Sequence, residues 1–409
     1  MKRYLLLAVI LLVTGVMNAQ GLRVESSTEK GLSLHYSLPK VSVRGGVPNL
    51  PSESHYIAVP KGATVCLEVQ EHGGRTLGNI DLSPIAKMIE GADISERDVV
   101  EIKPTTIRGL DVVLLKVTPY RYNPKQKTLE LIQDINIDIR FEGGNGQFGE
   151  ARYLNPDWKH ILRSIVLNKE MLPESDYYSL LKSNFDKDGE GCEYLIIAPD
   201  NTEVLALADT LKAFRQKQGI LTKVVSLSEC GGNTTTSIRN YILNAYNNWA
   251  IPPAAVLLFG GYYNNSGIVP FYHYTIEGDY ASQRYATDYP YCDMNGDSLP
   301  DLSISRITAR NMAEYQAFVK KTIEYECNPP IEAAYYNQPI ISSGHDENRW
   351  FIISSQSING FYRNMLGKNP TNLYMLHATS VDPPDSIWST GYNIPVLLDY
   401  FGPNGQGYL

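Results

Sequence analysis

The sequence predicts two folded parts: an α/β domain with a mostly parallel sheet flanked by helices, and an all-β domain that precedes it. Length is the first observation, because 409 residues exceed one ordinary domain. The second is that short apolar segments alternate with helical patterns from Glu193 onward, which is typical of a parallel sheet covered on both faces. The third is that strand patterns dominate up to residue 150, and no helical pattern of similar quality precedes residue 158.

The strand patterns are clearest near the end of the first part. Residues 112–122 and 129–141 are two predicted strands joined by a polar turn. Every second residue from Ile135 to Phe141 is apolar, which is the period of a half-buried strand. We therefore assign residues 20–150 to a β-rich domain.

A connector follows this domain. Two polar, glycine-rich stretches, 143–149 and 183–191, bound a segment that we assign to residues 151–190. Within it, residues 158–167 fit either a short helix or a strand.

The α/β part divides into a first subdomain, residues 191–330, and the start of a second, residues 331–409. Hydrophobic periodicity sets the elements of both. The predicted strands are 194–198, 222–227, 255–259, 301–307, 339–343 and 372–378, and the predicted helices are 204–219, 238–249, 311–325 and 351–366.

The amino terminus has the features of a secretory signal peptide. Lys2 and Arg3 carry positive charge, residues 5–16 are apolar, and Ala19 ends a small-residue cleavage site. The apolar run is shorter than the ~20 residues that span a bilayer. We therefore predict that residues 1–19 are removed, and that the mature chain has no membrane span and is secreted to the extracellular space or the cell surface.

Charge and cysteine content argue against two classes of protein. The formal net charge is −8 and the basic residues are scattered, which argues against a nucleic-acid partner. Five cysteines are too few, and odd in number, for a disulfide framework. His273 and Cys292 are a conceivable dyad within the chain. Because neither lies in a turn typical of a nucleophile, a structural cysteine is favoured.

Oxygen-bearing side chains recur in the run that leads into the predicted strand 301–307. Donors at alternate positions can fold around one calcium ion. Counted from the first aspartate, an EF-hand requires a glycine at the sixth position and an acid at the twelfth, where this chain has Ser298 and Ile304. A looser structural calcium site is predicted instead, with a polar turn as the alternative. The predicted Ca²⁺ ligands are Asp293, Asn295, Asp297 and Asp301.

Several short motifs occur in an order and spacing that resemble the gingipain-like cysteine peptidases. Two lie in the β-rich domain and resemble the start of the propeptide of these peptidases, a β-rich module that blocks the active site. The others lie in the α/β part and are followed by Asp288 and by Arg306, which we expect to be exposed. The motifs are Gly46–Pro51, Ile57–Ala63, Glu193–Pro199, Phe214–Gly219 and Leu257–Gly261.

The resemblance implies a caspase-like catalytic domain in a secreted cysteine endopeptidase zymogen, with its propeptide as an intramolecular inhibitor. In this family a histidine in a Gly-His-Gly type motif and a later cysteine hydrolyse the peptide bonds of protein or peptide substrates. No Gly-His-Gly occurs in the 409 residues, and the family pattern places that histidine beyond Leu409, so this piece alone is expected to be inactive. By the same resemblance Asp346, or alternatively Glu347, supports the histidine. Residues 350–356 contain no acid, so the arginine specificity of some members is not predicted.

Two alternatives stay open. A sorting peptidase or transpeptidase of the same fold would attach exported proteins to the cell surface. A non-catalytic, calcium-stabilised binding protein would use the scaffold without a dyad. Sequence beyond Leu409 separates the enzymes from the binding protein, and product analysis separates the two enzymes.

Overall fold

The computed structural model describes residues 21–44, 47–48, 50–80, 82, 98–174, 177–185, 191–261, 269–276, 283–343 and 350–374. The predicted signal peptide lies outside these ranges. The chain divides into two compact units, Met1–Val319 and Lys320–Leu409. The finer division into five segments, inferred from the sequence, stays a prediction.

Strands make up the first part of the larger unit, from Gly21 to Gly143, within the described residues. They are β1 (Gly21–Thr28), β2 (Gly31–Ser37), β3 (Val43–Arg44), β4 (Val47–Pro48), β5 (Glu53–Ala58), β6 (Ala63–Leu77), β7 (Val100–Ile107), β8 (Leu110–Val117), β9 (Tyr120–Asn123) and β10 (Thr128–Gly143). One antiparallel sheet has the order β1-β2-β10-β6, with β9 also on β10, and a second has the order β5-β8-β7. We call this strand-only part the β module.

The predicted alternation along the last long strand of the β module is confirmed. Ile135, Ile137 and Ile139 are at most 1% exposed and lie in the core between the strands. The single strand predicted over residues 112–122 is instead split between β8 and β9. Pro119 lies at the break, and proline has no N–H to donate to a ladder of hydrogen bonds.

A helix occupies the position that the sequence left open between helix and strand. This helix, α1 (Pro156–Ile165), is followed by α2 (Tyr177–Phe185). The side chain of Asn155 accepts the N–H of Trp158 at 3.1 Å, and Pro156 takes the first helical position. Both are standard signals of a helix start. Trp158 and Leu162 lie on the buried face of this helix.

A four-stranded parallel sheet forms the rest of the larger unit. In chain order the elements are β11 (Tyr194–Ala198), α3 (Thr202–Lys217), β12 (Thr222–Ser226), α4 (Thr235–Asn248), β13 (Ala255–Phe259), β14 (Tyr272–Ile276), β15 (Gln283–Thr287), β16 (Ser303–Ile307) and α5 (Met312–Cys327), and the division between the two units falls within α5. The sheet order is β12-β11-β13-β16, and β14 pairs with β15 in an antiparallel hairpin. The prediction of strands that alternate with helices in a parallel sheet is confirmed for this part.

The smaller unit contains a second parallel pair. Its elements are α6 (Ala333–Asn337), β17 (Ile340–Ser343), α7 (Trp350–Asn364) and β18 (Thr371–Tyr374), with β17 parallel to β18. This agrees with the predicted strand–helix–strand repeat. In both units, the helices within the described ranges are too short or too polar to cross a membrane.

Candidate functional site

The carboxyl ends of the parallel strands are the edge at which α/β sheets usually bind ligands. At this edge β13 runs into the turn Gly260-Gly261. The N–H of Gly261 donates to the carbonyl of Ala309 at 3.2 Å. A Cβ at Gly261 would lie 2.7 Å from that same carbonyl oxygen, so the close approach requires glycine.

Arg306 on β16 binds several loop residues at this edge of the sheet. Its guanidinium binds both carboxylate oxygens of Asp288, at 2.7 and 2.8 Å. It also donates to the carbonyls of Gly260 (2.8 Å), Val269 (2.6 Å) and Pro270 (3.0 Å). The Arg306 side chain is only 8% exposed, so the expectation of an exposed arginine is wrong. A guanidinium surrounded by acceptors positions the loops and is not free to bind a ligand.

The predicted supporting acid cannot be placed on this edge. Asp346 and its alternative Glu347 lie outside the described residues, together with His345. Their roles stay predictions.

Cys292 has the environment of a structural cysteine. Its Sγ donates to the carbonyl of Tyr289 at 3.1 Å, and the residue is 3% exposed. Burial raises the pKa of its thiol to about 11. Because the thiolate is the nucleophilic form, this cysteine is poorly suited to attack a carbonyl at neutral pH.

Thiol titration checks this interpretation. All five cysteines are unpaired, and burial raises the pKa of Cys192 and Cys230 to about 12. In the native chain we expect Cys327, which is exposed, to react fastest with Ellman's reagent. The three buried thiols should react only after unfolding. A Cys327→Ser variant is the control, and fast native labelling of Cys292 in it would contradict the assignment.

The predicted calcium ligands lie together in one loop, residues 293–301, which leads into β16. Each aspartate, however, uses both carboxylate oxygens to accept hydrogen bonds. Asp293 accepts from the N–H groups of Gly296 (2.7 Å) and Ser298 (3.2 Å), and Asp301 accepts from those of Met294 and Arg108 (both 2.9 Å).

Asp297 likewise accepts hydrogen bonds on both carboxylate oxygens. It accepts from the N–H of Leu299 at 2.8 Å, from the amide of Asn295 at 3.1 Å and from the hydroxyl of Thr105. Burial alone would raise the pKa of Asp297, but the hydrogen bond from Thr105 and those from the neighbouring amides outweigh it and lower this pKa.

These side chains, as placed, do not fit a calcium ion. Calcium requires six to eight oxygen ligands, whereas the carboxylate oxygens here already face N–H and O–H donors. No group of three or more His, Cys, Asp or Glu residues within the described ranges is arranged to hold a metal ion. The calcium site stays a prediction, and the loop has the contacts of the alternative, a polar turn.

Removing calcium tests the two interpretations of the loop. A resident ion present at about 100 times its Kd would stabilise the fold by ~2.7 kcal/mol. Because the hydrogen bonds already satisfy the carboxylates, we expect the melting temperature of the chain to be the same in EGTA and in millimolar calcium. An increase with calcium that Asp293→Asn abolishes would restore the calcium site.

Arg108 is a buried side chain that the sequence analysis missed. The residue is 1% exposed and lies between the β module and the parallel sheet. Its backbone N–H donates a hydrogen bond to the carboxylate of Asp301. The signal in the sequence that could have revealed it is the dipeptide Arg108-Gly109 between β7 and β8. A two-residue hairpin turn normally places asparagine or aspartate before the glycine.

Comparison with known proteins shows which family of proteins this chain is similar to. Residues 187–384 match the model of peptidase family C25. Over 351 residues the chain is 21% identical to Lys-gingipain of Porphyromonas gingivalis, a match that covers 78% of this chain and 19% of that protein. The chain therefore spans about a fifth of the length of the relatives that it matches.

Two solved structures are also similar. One is a complex of the RgpB pro- and mature domains of Porphyromonas gingivalis, at 16% identity and a TM-score of 0.29, covering 36% of this chain and 97% of that one. The other is the Arg-specific cysteine proteinase gingipain R, at 15% identity and a TM-score of 0.37, covering 46% and 43%. The family match and the gingipain relatives confirm that the chain resembles, over residues 187–384, the gingipain-like cysteine peptidases of family C25.

Proposed function

We propose that the chain is the amino-terminal part of the zymogen of a secreted cysteine endopeptidase. Residues 1–19 would be its signal peptide, residues 20–150 its propeptide and residues 151–190 the connector to a caspase-like catalytic domain. The observation that carries the proposal is the match to peptidase family C25, which begins at residue 187 and includes the whole parallel sheet.

The position of the β module supports its role as a propeptide. It precedes the family segment in sequence, and it packs onto the parallel-sheet part through Arg108 and the loop 293–301. An inhibitory module has to bind the enzyme that it blocks. Extensive buried contacts between the two parts are therefore expected of a zymogen.

The proposed chemistry is that of a Cys–His pair. The imidazole would take the proton of the thiol, the thiolate would attack the scissile carbonyl, and backbone amides would hold the oxyanion. Asp346, or Glu347, would orient the imidazole. The 409-residue chain contains no Gly-His-Gly, so we assign neither member of the pair.

The test is thiol-reactive probe labelling of the complete gene product. We expect one cysteine beyond Leu409 to be labelled after propeptide removal, and labelling to be lost when the histidine of a downstream Gly-His-Gly is replaced by alanine. The 409-residue chain is the matched control and should show no such labelling. A gene that encodes no such histidine and cysteine would contradict the proposal.

Incubation of the active protein with a peptide substrate and an added amine nucleophile identifies the reaction. Hydrolysed peptide is the expected product. Predominant transfer of the acyl group to the amine would instead indicate a sorting transpeptidase.

A further inference from the structure

The β14–β15 hairpin is separate from the four-stranded parallel sheet. Among the described strands, β14 and β15 pair only with each other, so the hairpin has two open edges. An open edge accepts a further strand through its main-chain groups. A two-stranded hairpin alone is marginally stable in water and usually requires a third strand or a packed face. The contacts that hold this hairpin therefore indicate which part of it is available to a partner.

Both ends of the hairpin are held at the carboxyl edge of the sheet. The guanidinium of Arg306 donates to the carbonyls of Val269 and Pro270, shortly before β14. The same guanidinium binds the carboxylate of Asp288, directly after β15. The N–H of Val269 also donates to the carbonyl of Gly261 at 3.2 Å. The hairpin therefore begins and ends at the edge at which α/β sheets usually bind ligands.

Aromatic packing adds to the contacts at this base. Tyr272, the first residue of β14, lies edge-on to Tyr291 with the ring centres 5.0 Å apart. The hydroxyl of Tyr272 donates to the carbonyl of Thr235 at the start of α4 (3.3 Å), and the hydroxyl of Tyr291 donates to the carbonyl of Pro270 (2.8 Å). Every residue of β14 after Tyr272 is exposed. These contacts thus hold the base of the hairpin and leave the rest of β14 accessible.

One face of the accessible part is aromatic and apolar. Tyr274 and Tyr285 lie directly opposite each other in the pairing of the two strands, and Ile276 follows Tyr274 on the same face. The three residues are 62%, 45% and 49% exposed, in that order. Large apolar side chains that are exposed together indicate a binding surface. Tyrosine suits such a surface, because its ring packs against apolar groups while its hydroxyl remains in water.

The opposite face of the hairpin carries positive charge. Side chains alternate between the two faces of a strand, so His273 and Arg284 point away from the tyrosines. Both residues are exposed, and the guanidinium of arginine is charged at neutral pH. A strand added at an open edge presents its own side chains alternately to the two faces. A complementary strand is therefore apolar on the side of Tyr274 and acidic on the side of Arg284.

We propose that the β14–β15 hairpin binds an extended segment of the polypeptide substrate as a third strand. The substrate segment alternates between apolar and acidic residues. Its apolar side chains pack on Tyr274, Ile276 and Tyr285, and its carboxylates face Arg284. Main-chain hydrogen bonds along the open edge supply affinity, and the two faces of the hairpin supply specificity. This inference rests on the proposed function, because it takes the bound polypeptide to be a substrate.

Fluorescence anisotropy on the 409-residue chain tests this binding directly. The probe is a fluorescein-labelled peptide of alternating valine and glutamate. A peptide of alternating valine and lysine tests the charge, and the glutamate peptide with methylated central backbone nitrogens tests the main-chain hydrogen bonds. We expect saturable binding of the glutamate peptide, and much weaker binding of the other two.

Two variants of the hairpin test the assignment of its faces. Tyr274→Thr keeps a residue suited to a strand and removes the ring, so it should weaken binding of the glutamate peptide by roughly 10-fold. Arg284→Thr should reduce the preference for glutamate over lysine. Tyr178→Ala is the matched control, because Tyr178 is a 71% exposed tyrosine on α2, and it should bind as the wild type does.

Three results would overturn the inference. They are no binding of the glutamate peptide to the wild type, equal affinity for the methylated peptide, and wild-type affinity in Tyr274→Thr. The outcome is separable from that of the probe labelling of the complete protein. Labelling without peptide binding would reject this inference alone, whereas peptide binding without labelling would reject the proposed peptidase alone.

Discussion

Replacement of Arg108 by methionine is expected to lower the free energy of unfolding of the uncut chain by about 3–5 kcal/mol. The aliphatic side chain fills similar space but leaves buried carbonyls without donors, among them those of Pro252 and Pro253. It also leaves the Asp301 carboxyl buried, at 2% exposure, without the neighbouring positive charge.

Urea unfolding monitored by tryptophan fluorescence measures this loss, because Trp158 lies against the guanidinium. Arg121→Met is the control and should cost about 0–1 kcal/mol, as for exposed ion pairs. An Arg108→Met loss as small as that of the control would mean that hydrophobic packing alone holds the hairpin tip.

Replacement of Arg306 by methionine is the second large effect, with an expected loss of about 3–5 kcal/mol. Its partner Asp288 is 21% exposed and would remain largely buried without a counter-charge. The carbonyls of Gly260, Val269 and Pro270 would lose their donor at the same time. Arg306→Lys keeps the charge but cannot reproduce the two parallel bonds to Asp288, so it should fall between the wild type and methionine.

Arg310→Met is the control for this site. Arg310 pairs with Glu314 on an exposed helix start, with its side chain 60% exposed, and should contribute about 0–1 kcal/mol. The double variant Arg306→Met, Asp288→Asn should recover part of the loss, since it removes the uncompensated charge. No recovery would indicate that the carbonyl contacts, rather than the ion pair, dominate.

The secondary structure followed from the sequence wherever hydrophobic periodicity was long and regular. The strand containing Ile135 and the predicted strands and helices after Glu193 are of this kind. The elements β14, β15 and α6 were not predicted from the sequence. The helix at Trp158 was left open because its apolar pattern is short. Its start signals, Asn155 as a cap and Pro156 as the first helical residue, were present and would have decided the question.

The contacts of Arg108 could not be predicted for a different reason. The acceptors of Arg108 are backbone carbonyls, which every residue possesses, and they lie 45 to 193 residues further along the chain. The loop 293–301 was ambiguous for a related reason. Oxygen donors at alternate positions serve both a calcium loop and a turn in which aspartates bind backbone amides, and only the positions of the donors distinguish them.

The pairing of β10 sets an order in which the chain can fold during synthesis. Residues 128–143 form the strand that pairs with β2, β6 and β9 at once. Until they leave the ribosome, β2 and β6 each lack a partner edge, and unpaired edges are prone to aggregation. The hydrogen bonds of Arg108 to Pro252 and Pro253 form later still, because residues 246–254 emerge about a hundred residues after β10. A nascent chain stopped between these two points would hold a paired β module in which the guanidinium of Arg108 lacks three of its four carbonyl partners, those of Pro252, Pro253 and Asp301.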